Sequence, residues 1–315
     1  MKLKLGLAAI LFLLVVPLFA QETSGSGLTI GFAQVGTESE WRQAFTDATL
    51  AEAQARGINL IFSDGQNNQD IQIAALRSFI EQRVNAIILA PVVETGWDHV
   101  LEEVYNAGIP LVIIDRNVTA NPDLYITRVA SDFVHEGRLA AAWLAQATAG
   151  DCQIIELEGT VGSSAARDRQ IGFNEVIALF PRMQILVSQS GDFTRQGGRD
   201  VMEGILSSED ITQFCAIWSH NDDMAIGAIE VLKAQNVDPG NDILIVSVDA
   251  IPDIFLAMMD GDTNATVELS SDMAAPAFDA IARYLAGEQI PRFIPVPGGI
   301  FFPDTASEEY ARRTQ

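Results

Sequence analysis

The chain predicts an α/β protein of two doubly wound parallel-sheet lobes, and two observations carry that expectation. Short β-branched and aliphatic runs recur along its 315 residues: Thr29-Ile-Gly-Phe32, Ala86-Ile-Ile-Leu89, Leu111-Val-Ile-Ile114, Gln153-Ile-Ile-Glu156, Gln184-Ile-Leu-Val187, Ala216-Ile-Trp218 and Ile243-Leu-Ile-Val246. Amphipathic stretches of helical length separate most of them, and such alternation gives parallel sheets with helices on both faces. The exits of the runs carry polar clusters: Glu38-Ser-Glu-Trp41, Asp115-Arg116, Arg167-Asp-Arg169, Asp192-Phe193, His220-Asn-Asp-Asp223 and Asp249. Open parallel sheets bind ligands beyond the carboxyl ends of their strands. The clusters therefore stand where a small polar molecule would be held.

The first unit begins with a strand over residues 29–34. A helix from about Trp41 to Arg56 follows and is closed by Gly57, the residue type that ends helices with least strain. Residues 58–62 form the second strand, and Asp64-Gly-Gln-Asn-Asn68 the polar turn after it. Ile71, Ala75, Phe79 and Ile80 recur at helical spacing over 71–83. Strand 86–90 stops at Pro91, helix 97–106 ends at Gly108, and strand 111–114 follows Pro110. A strand over 125–129 leaves this unit, and helix 132–147 ends at Ala149-Gly150. The pattern then restarts. Strands 153–157, 185–189, 216–218 and 243–248 alternate with helices 166–178, 195–206 and 224–234. Residues 252–259 follow Asp249, then strand 263–269 and a last helix over 273–285. Two similar lobes result, without clear sequence identity between them.

The amino terminus carries Lys2 and Lys4, and residues 5–20 have no charge. A basic start, a short apolar core and a small residue at Ala20 describe a secretory signal peptide cleaved near Ala20. The alternative is a membrane anchor, but a span needs roughly 20 apolar residues and Pro17 breaks the run. No cysteine follows it, which argues against a lipid-anchored product. Residues 21–27 read as a flexible leader. The formal net charge is −23, which repels nucleic acid and favours solubility.

Cys152 and Cys215 each precede a predicted strand. If the second half is one doubly wound unit, these are its first and third strands, which are neighbours in 2-1-3 order. The cysteines then lie side by side at the amino edge, away from the ligand end. An oxidising compartment favours a disulfide between them; the alternative is two buried thiols.

Asp115-Arg116 places an acid and a base at one strand end, suited to neighbouring hydroxyls of a polyol or to a salt bridge capping the strand. Residues 159–169 form a small-residue loop entering a helix that projects Arg169 towards the cleft. The loop lacks a dinucleotide fingerprint and a P-loop lysine, so it is a weak phosphate signal. His220-Asn-Asp-Asp223 reads either as metal ligands or as a helix cap. Capping is the default for Asp222 and Asp223, whereas Asn221, nearest the strand, is the better ligand candidate. Trp41 and Phe193 suit stacking on a sugar face or covering a domain edge; Trp97 reads as packing. No nucleophile elbow is present, and His99, His135 and His220 lack metal-type spacing. The chain thus reads as a non-enzyme without cofactor or metal.

Taken together, residues 31–41, Asp64-Gly-Gln66, residues 90–97, Ile114-Asp-Arg116, residues 158–162, residues 188–195, His220-Asn-Asp-Asp-Met224, Val248-Asp249, Val267-Glu-Leu269 and residues 274–279 resemble the ribose-type periplasmic sugar-binding proteins of ABC importers. The similarity covers nearly the whole chain after the leader and is greatest to the galactofuranose-binding subgroup. The resemblance implies a type I periplasmic binding protein fold, with two lobes joined by a three-segment hinge. The first lobe would comprise residues 28–129 and 269–297, the second 130–268 and 298–315. It implies a monomer that closes over one monosaccharide, most simply galactofuranose, and delivers it to an ABC permease in the inner membrane. The contacts it implies are Gln34, Glu38, Ser39, Trp41, Arg42, Asp115 and Arg116 on the first lobe, and Arg169, Phe193, Asn221 and Asp249 on the second. Where ribose binders carry an amide, this chain has Glu268-Leu269, which argues against ribose and leaves Glu268 a weak candidate. A competing reading is a sugar or autoinducer receptor that presents its ligand to a chemotaxis or sensor-kinase partner. A transcription regulator would need a DNA-binding helix pair where the signal peptide stands.

Overall fold

The computed structural model describes residues 27–314; the signal peptide and nearly all of the leader lie outside them. The first sheet is laid down by β1 (Thr29–Gln34), α1 (Glu40–Ala55), β2 (Asn59–Asp64), α2 (Gln69–Gln82), β3 (Ala86–Leu89), α3 (Asp98–Asn106), β4 (Leu111–Ile114) and β5 (Thr127–Ala130). The second follows through α4 (Phe133–Ala147), β6 (Asp151–Glu158), α5 (Ser164–Ile177), β7 (Arg182–Ser190), α6 (Arg195–Ser208), β8 (Ala216–Ser219), α7 (Asp222–Ala234), β9 (Leu244–Asp249), α8 (Pro252–Asp260) and β10 (Ala265–Glu268). The chain returns to the first unit with α9 (Ala274–Leu285) and β11 (Phe293–Pro295). It ends on the second with β12 (Ile300–Phe301) and α10 (Ala306–Arg313).

The sheet orders are β11-β5-β4-β3-β1-β2 and β12-β10-β9-β8-β6-β7. All pairs are parallel except β10 with β12. The chain therefore passes between the sheets after β5, after β10 and between β11 and β12, a three-stranded connection. The central strands β3, β4 and β8 are buried at every position, as strands covered by helices on both faces must be. β7 lies at an edge and alternates, leaving Leu186 exposed. β11 and β12 escape a reading by pattern because they are short and lie in a proline-rich stretch. Pro295 is tolerated because β11 is an edge strand.

Local chemistry sets the helix starts. Ser39, Asn68, Asp132, Ser163, Thr194 and Asn221 each accept a hydrogen bond from a first-turn N–H, relieving donors without an intrahelical partner. Asp222 is not the cap of α7; that role falls to Asn221, and Asp222 is the first helical residue. α4 and α5 pack backbone to backbone at Gly137 and Gly172. A Cβ on Gly172 would stand 1.9 Å from the Val134 carbonyl. That close approach brings Glu136 of α4 against Arg169 of α5.

Cys152 and Cys215 are joined by a disulfide, with Cα atoms 5.5 Å apart. β6 and β8 are neighbours, Ile154 opposite Ala216, which places both cysteines at the amino end of the sheet. The bridge closes a separation of 63 residues, so the chain-entropy model gives it up to ~4 kcal/mol. We expect the Cys152→Ser/Cys215→Ser protein to lose stability in urea melts by up to about that amount while keeping its ligand affinity. A comparable affinity loss would show that the bridge shapes the far end of the sheet.

Candidate ligand-binding site

The carboxyl ends of the two sheets face each other across a narrow cleft of ≈ 20 Å³. From the first unit come Glu38, Ser39, Trp41 and Arg42, on the β1–α1 connection and the first turn of α1, and Asp115 and Arg116 after β4. From the second come Ala165 and Arg169 of α5, Phe193 between β7 and α6, Asn221 between β8 and α7, and Asp249 at the end of β9. Leu269, where the chain crosses back, completes the wall. A larger surface hollow of ≈ 830 Å³ opens beside Tyr105, Tyr284 and Arg292, but it gathers no converging set of buried charges.

The first-unit side is a chain of ion pairs. Arg42 lies 3.0 Å from Glu38 and 2.8 Å from Asp115, and Arg116 lies 3.1 Å from Glu38. All four side chains are buried. Burial pushes the Glu38 carboxyl up, but Arg42 and Arg116 outweigh it and leave its pKa below the ordinary value. Burial and the neighbouring Arg42 push Arg116 down to about 10. The Arg116 guanidinium also donates to the Val92 carbonyl at 3.0 Å. Asp115 sits at φ 61, a left-handed conformation uncommon for a side-chain-bearing residue. Arg128 fixes it by donating to the Asp115 carbonyl at 3.2 and 2.9 Å.

On the second unit, Arg169 donates to Glu136 at 2.9 Å and to the His220 carbonyl at 2.6 Å, and stands 3.7 Å from Asp249. Burial, with Asp222, Asp223 and Glu136 nearby, raises the Asp249 pKa well above its ordinary value despite Arg169. Phe193 follows Asp192, both at positive φ, and its ring lies over Gly159, where a Cβ would collide at 1.9 Å. Arg116 and Arg169 face the ring at 5.1 and 5.8 Å from its centroid, within cation–π range. Asn221 combines capping with a bond from its amide to the Phe193 carbonyl at 3.0 Å. Trp41 stacks on Phe45 and donates to the Leu269 carbonyl at 2.6 Å.

Glu38 Oε2, Arg116 Nε and Arg169 Nη2 are buried without a hydrogen-bond partner among the described residues. Such groups are costly unless something else satisfies them.

Several residues read from the sequence lie elsewhere. Gln34 is buried one layer back, donating to Thr46 at 3.1 Å and accepting from Arg42 at 3.4 Å; it steadies Arg42 and does not line the cleft. Glu268 pairs with Arg313 at 2.6 Å. His220 is a strut, accepting from the Gly159 N–H at Nδ1 and meeting Glu156 at 3.2 Å through Nε2. No cluster of potential metal ligands occurs among the described residues. Leu269 was read only as standing where ribose binders carry an amide, and Ala165, Arg128 and Glu136 went unread. Of these only Arg128 carried a signal, a charge inside an otherwise apolar strand.

Residues 30–289 match the family described as periplasmic binding protein domain. The chain belongs to the periplasmic binding protein family. It is 47% identical over 290 residues to the galactofuranose-binding protein YtfQ of Escherichia coli (strain K12), covering 91% of each chain. Among solved structures it is similar to the binding-protein component of the arabinose ABC transporter of Shewanella sp. ANA-3, bound to α- and β-L-arabinofuranose, with 54% identity, TM-score 0.89, and 90% and 95% coverage of the two chains. A Mycobacterium smegmatis protein in complex with β-D-fucofuranose is 43% identical, with TM-score 0.88 and coverage of 91% and 95%. Periplasmic binding proteins of this family are exported, sugar-binding transport components rather than enzymes.

In this periplasmic binding protein both rims of the cleft are bridged by charge. On one, Arg167 of α5 meets Glu94 at 2.5 Å, and Asn117 N–H donates to Ser164 at 2.7 Å. On the other, the Glu40 N–H donates to Asp223 at 2.7 Å, and Arg195 joins Asp223 at 3.0 Å, Asp253 at 2.9 Å and Glu40 at 3.4 Å. Burial, then Asp253 and Asp223, push Glu40 up to about 7 against Arg195. Parting the units separates Glu40 from those acids and returns it towards the ordinary range. The joined state therefore holds the Glu40 proton more tightly. Closure is favoured below the ordinary glutamate pKa, and that gain is lost as pH rises to about 7. We expect affinity to fall between about pH 4.5 and pH 7 through this group and the Glu40→Gln variant to show a flatter profile. An unchanged profile in titrations across that range would remove Glu40 as the source.

Proposed function

We propose that this chain is an exported receptor that captures one furanose sugar, galactofuranose, between two lobes and passes it unaltered to an ABC permease in the inner membrane. In this reading residues 1–20 direct export, with cleavage near Ala20, and the product is a monomer in the periplasm. Residues 28–129 and 269–297 form one lobe, and 130–268 and 298–315 the other. Ten side chains contact the sugar: Glu38, Ser39, Trp41, Arg42, Asp115, Arg116, Arg169, Phe193, Asn221 and Asp249.

The observation that carries the reading is the convergence of charged donors and acceptors from both units, several with buried atoms left unpartnered. A sugar offers hydroxyls at its edge and C–H groups on its faces. Carboxylates and guanidinium groups meet the edge with charge-assisted hydrogen bonds, and aromatic rings cover the faces. The cleft is walled by residues of both units, so in this reading the lobes part to admit the sugar and reclose over it. With six of the partners on one lobe and four on the other, only the closed state completes the set, which makes binding and closure one event.

The sugars named for the similar proteins support the choice of ring. L-Arabinofuranose and D-fucofuranose share the ring configuration of D-galactofuranose and differ from it only in the exocyclic arm. In this reading the charged set meets the part they have in common.

Calorimetric titration tests the reading with D-galactose, D-fucose and L-arabinose, whose equilibrium solutions contain furanose forms. Methyl β-D-galactopyranoside and ribose serve as controls. We expect binding of the first three, strongest per furanose for galactose, and no binding of the locked pyranoside. Asp115→Asn should weaken binding by about 1–3 kcal/mol, since it replaces a charged acceptor, and Asp249→Asn should weaken it by a comparable amount, since it puts an NH2 group where a carboxyl oxygen meets the sugar and Arg169. Asp249→Asn should hold or raise the unliganded Tm, because the site already disfavours that charge. A preference for the pyranoside or ribose would overturn the furanose assignment, and recovery of chemically altered sugar would overturn the non-enzyme assignment.

A further inference from the structure

Asp222 is fully buried and is not part of the cleft lining. Its Oδ1 accepts from the hydroxyls of Ser247 at 2.5 Å and Thr266 at 2.8 Å, and its Oδ2 accepts from the Ile251 N–H at 2.9 Å. Ser247 lies on β9 two residues before Asp249, and Thr266 is its register partner on β10. Thr266 also accepts from the Ala250 N–H at 3.3 Å. The segment so held is unusual: Asp249 has φ 127 and Ala250 φ 62, two successive positive values in residues that bear side chains. Such a turn persists only where its surroundings over-determine it. Here the surroundings are one carboxylate and two hydroxyls, and the turn is what places Asp249 beside Arg169.

We propose that Asp222 is a positioning residue for ligand capture: by gathering Ser247, Thr266 and the Ile251 N–H, it holds the strained 249–251 turn that aims Asp249 into the cleft. The inference rests on the reading of Asp249 as a sugar contact and deepens it. Helix capping does not account for Asp222, because Asn221 supplies the cap. Packing alone does not account for it either. An apolar residue of that size would leave two hydroxyls and one N–H buried without acceptors. The carboxylate is matched to its setting by number: three donors converge on two oxygens, and of those donors Ile251 belongs to the turn and Thr266 accepts from the turn's Ala250 N–H.

The substitution Asp222→Asn isolates the role. An amide oxygen still accepts from Ser247 and Thr266, but the NH2 group now faces the Ile251 N–H, donor against donor. Thr266→Val acts from the other side by removing the acceptor for Ala250 N–H, and it keeps the test available should Asp222→Asn fail to fold. We expect Asp222→Asn to weaken D-galactose binding about tenfold and Thr266→Val by a smaller factor, as coupled neighbours do. In an Asp249→Asn background both should cost little more, because the carboxyl group they position is already gone. A purely structural role would instead lower Tm and leave affinity unchanged, or add its full cost in the Asp249→Asn background; either result overturns the proposal. Crystal structures of the variants without sugar give a reading independent of affinity. The 249–251 turn should relax out of its positive φ values, and Asp249 should swing away from Arg169. A turn that stays as it is overturns the proposal, whereas a parent protein that binds no furanose overturns only the assignment of the ligand.

Discussion

Four charges buried side by side, Glu38, Arg42, Asp115 and Arg116, are the constraint around which the first half of the cleft is organised. An isolated charge in such a place is prohibitively costly, and a pair recovers that cost only with good geometry and further hydrogen bonds. Each neighbouring feature meets that condition. Gln34 accepts from Arg42, Val92 offers its carbonyl to Arg116, and Arg128 grips the backbone of Asp115 in its left-handed conformation. The second unit repeats the solution with other residues, Arg169 held between Glu136, the His220 carbonyl and Asp249. The site is thus rigid in its parts, and the freedom that remains is between the two units.

That division explains where strain is kept. Asp115, Asp192, Phe193, Asp249 and Ala250 all carry positive φ, and all lie at or beside a strand's carboxyl end that lines the cleft. The turns elsewhere that need positive φ mostly use glycine, as at Gly57, Gly108, Gly150 and Gly261. At the cleft a glycine would discard the side chain that the turn exists to present. The conformational cost is therefore accepted there and held by side-chain bonds to the turn, from Arg128 at Asp115, from Thr266 at Ala250 and from Asp222 at Ile251.

Much of this was legible in the sequence because parallel strands announce their ends. A run such as Leu111-Val-Ile-Ile114 stops at Asp115-Arg116 for the same reason that ligands bind beyond the carboxyl ends of parallel strands: apolar burial gives way to a polar opening. The neighbourhood of Cys152 and Cys215 followed from strand order alone. What stayed hidden has no composition to betray it. Ala165 forms part of the wall with a methyl group that resembles any core residue, and the apolar side chain of Leu269 shows only that an amide is lacking there. Gln34 and Glu136 serve from the second layer, where a polar residue on a strand or helix cannot be assigned to cleft or surface by periodicity. Asp222 looked like a helix cap because Asp at a helix start usually is one. Only the sheet register, with Ser247 beside Thr266, shows that its acceptors face downwards into the sheet and not along the helix.

The charge balance of the cleft also bears on what kind of molecule it can hold. The first-unit cluster pairs two carboxylates with two guanidinium groups. The second sets Arg169 between Glu136 and Asp249, whose charge the site resists. A sugar acid or sugar phosphate would place its anion near Glu38, Asp115 or Asp249 in a region where screening is weak. An amino sugar would set its cation against Arg42, Arg116 and Arg169. A neutral polyol avoids both penalties, since each hydroxyl donates to a carboxylate and accepts from a guanidinium without adding charge. The ion pairs already present need not break to receive it; they need only share. A cleft can in this way be densely charged in its walls and still be selective for an uncharged ligand, and the acidic exterior of the chain, at a formal net charge of −23, takes no part in that choice.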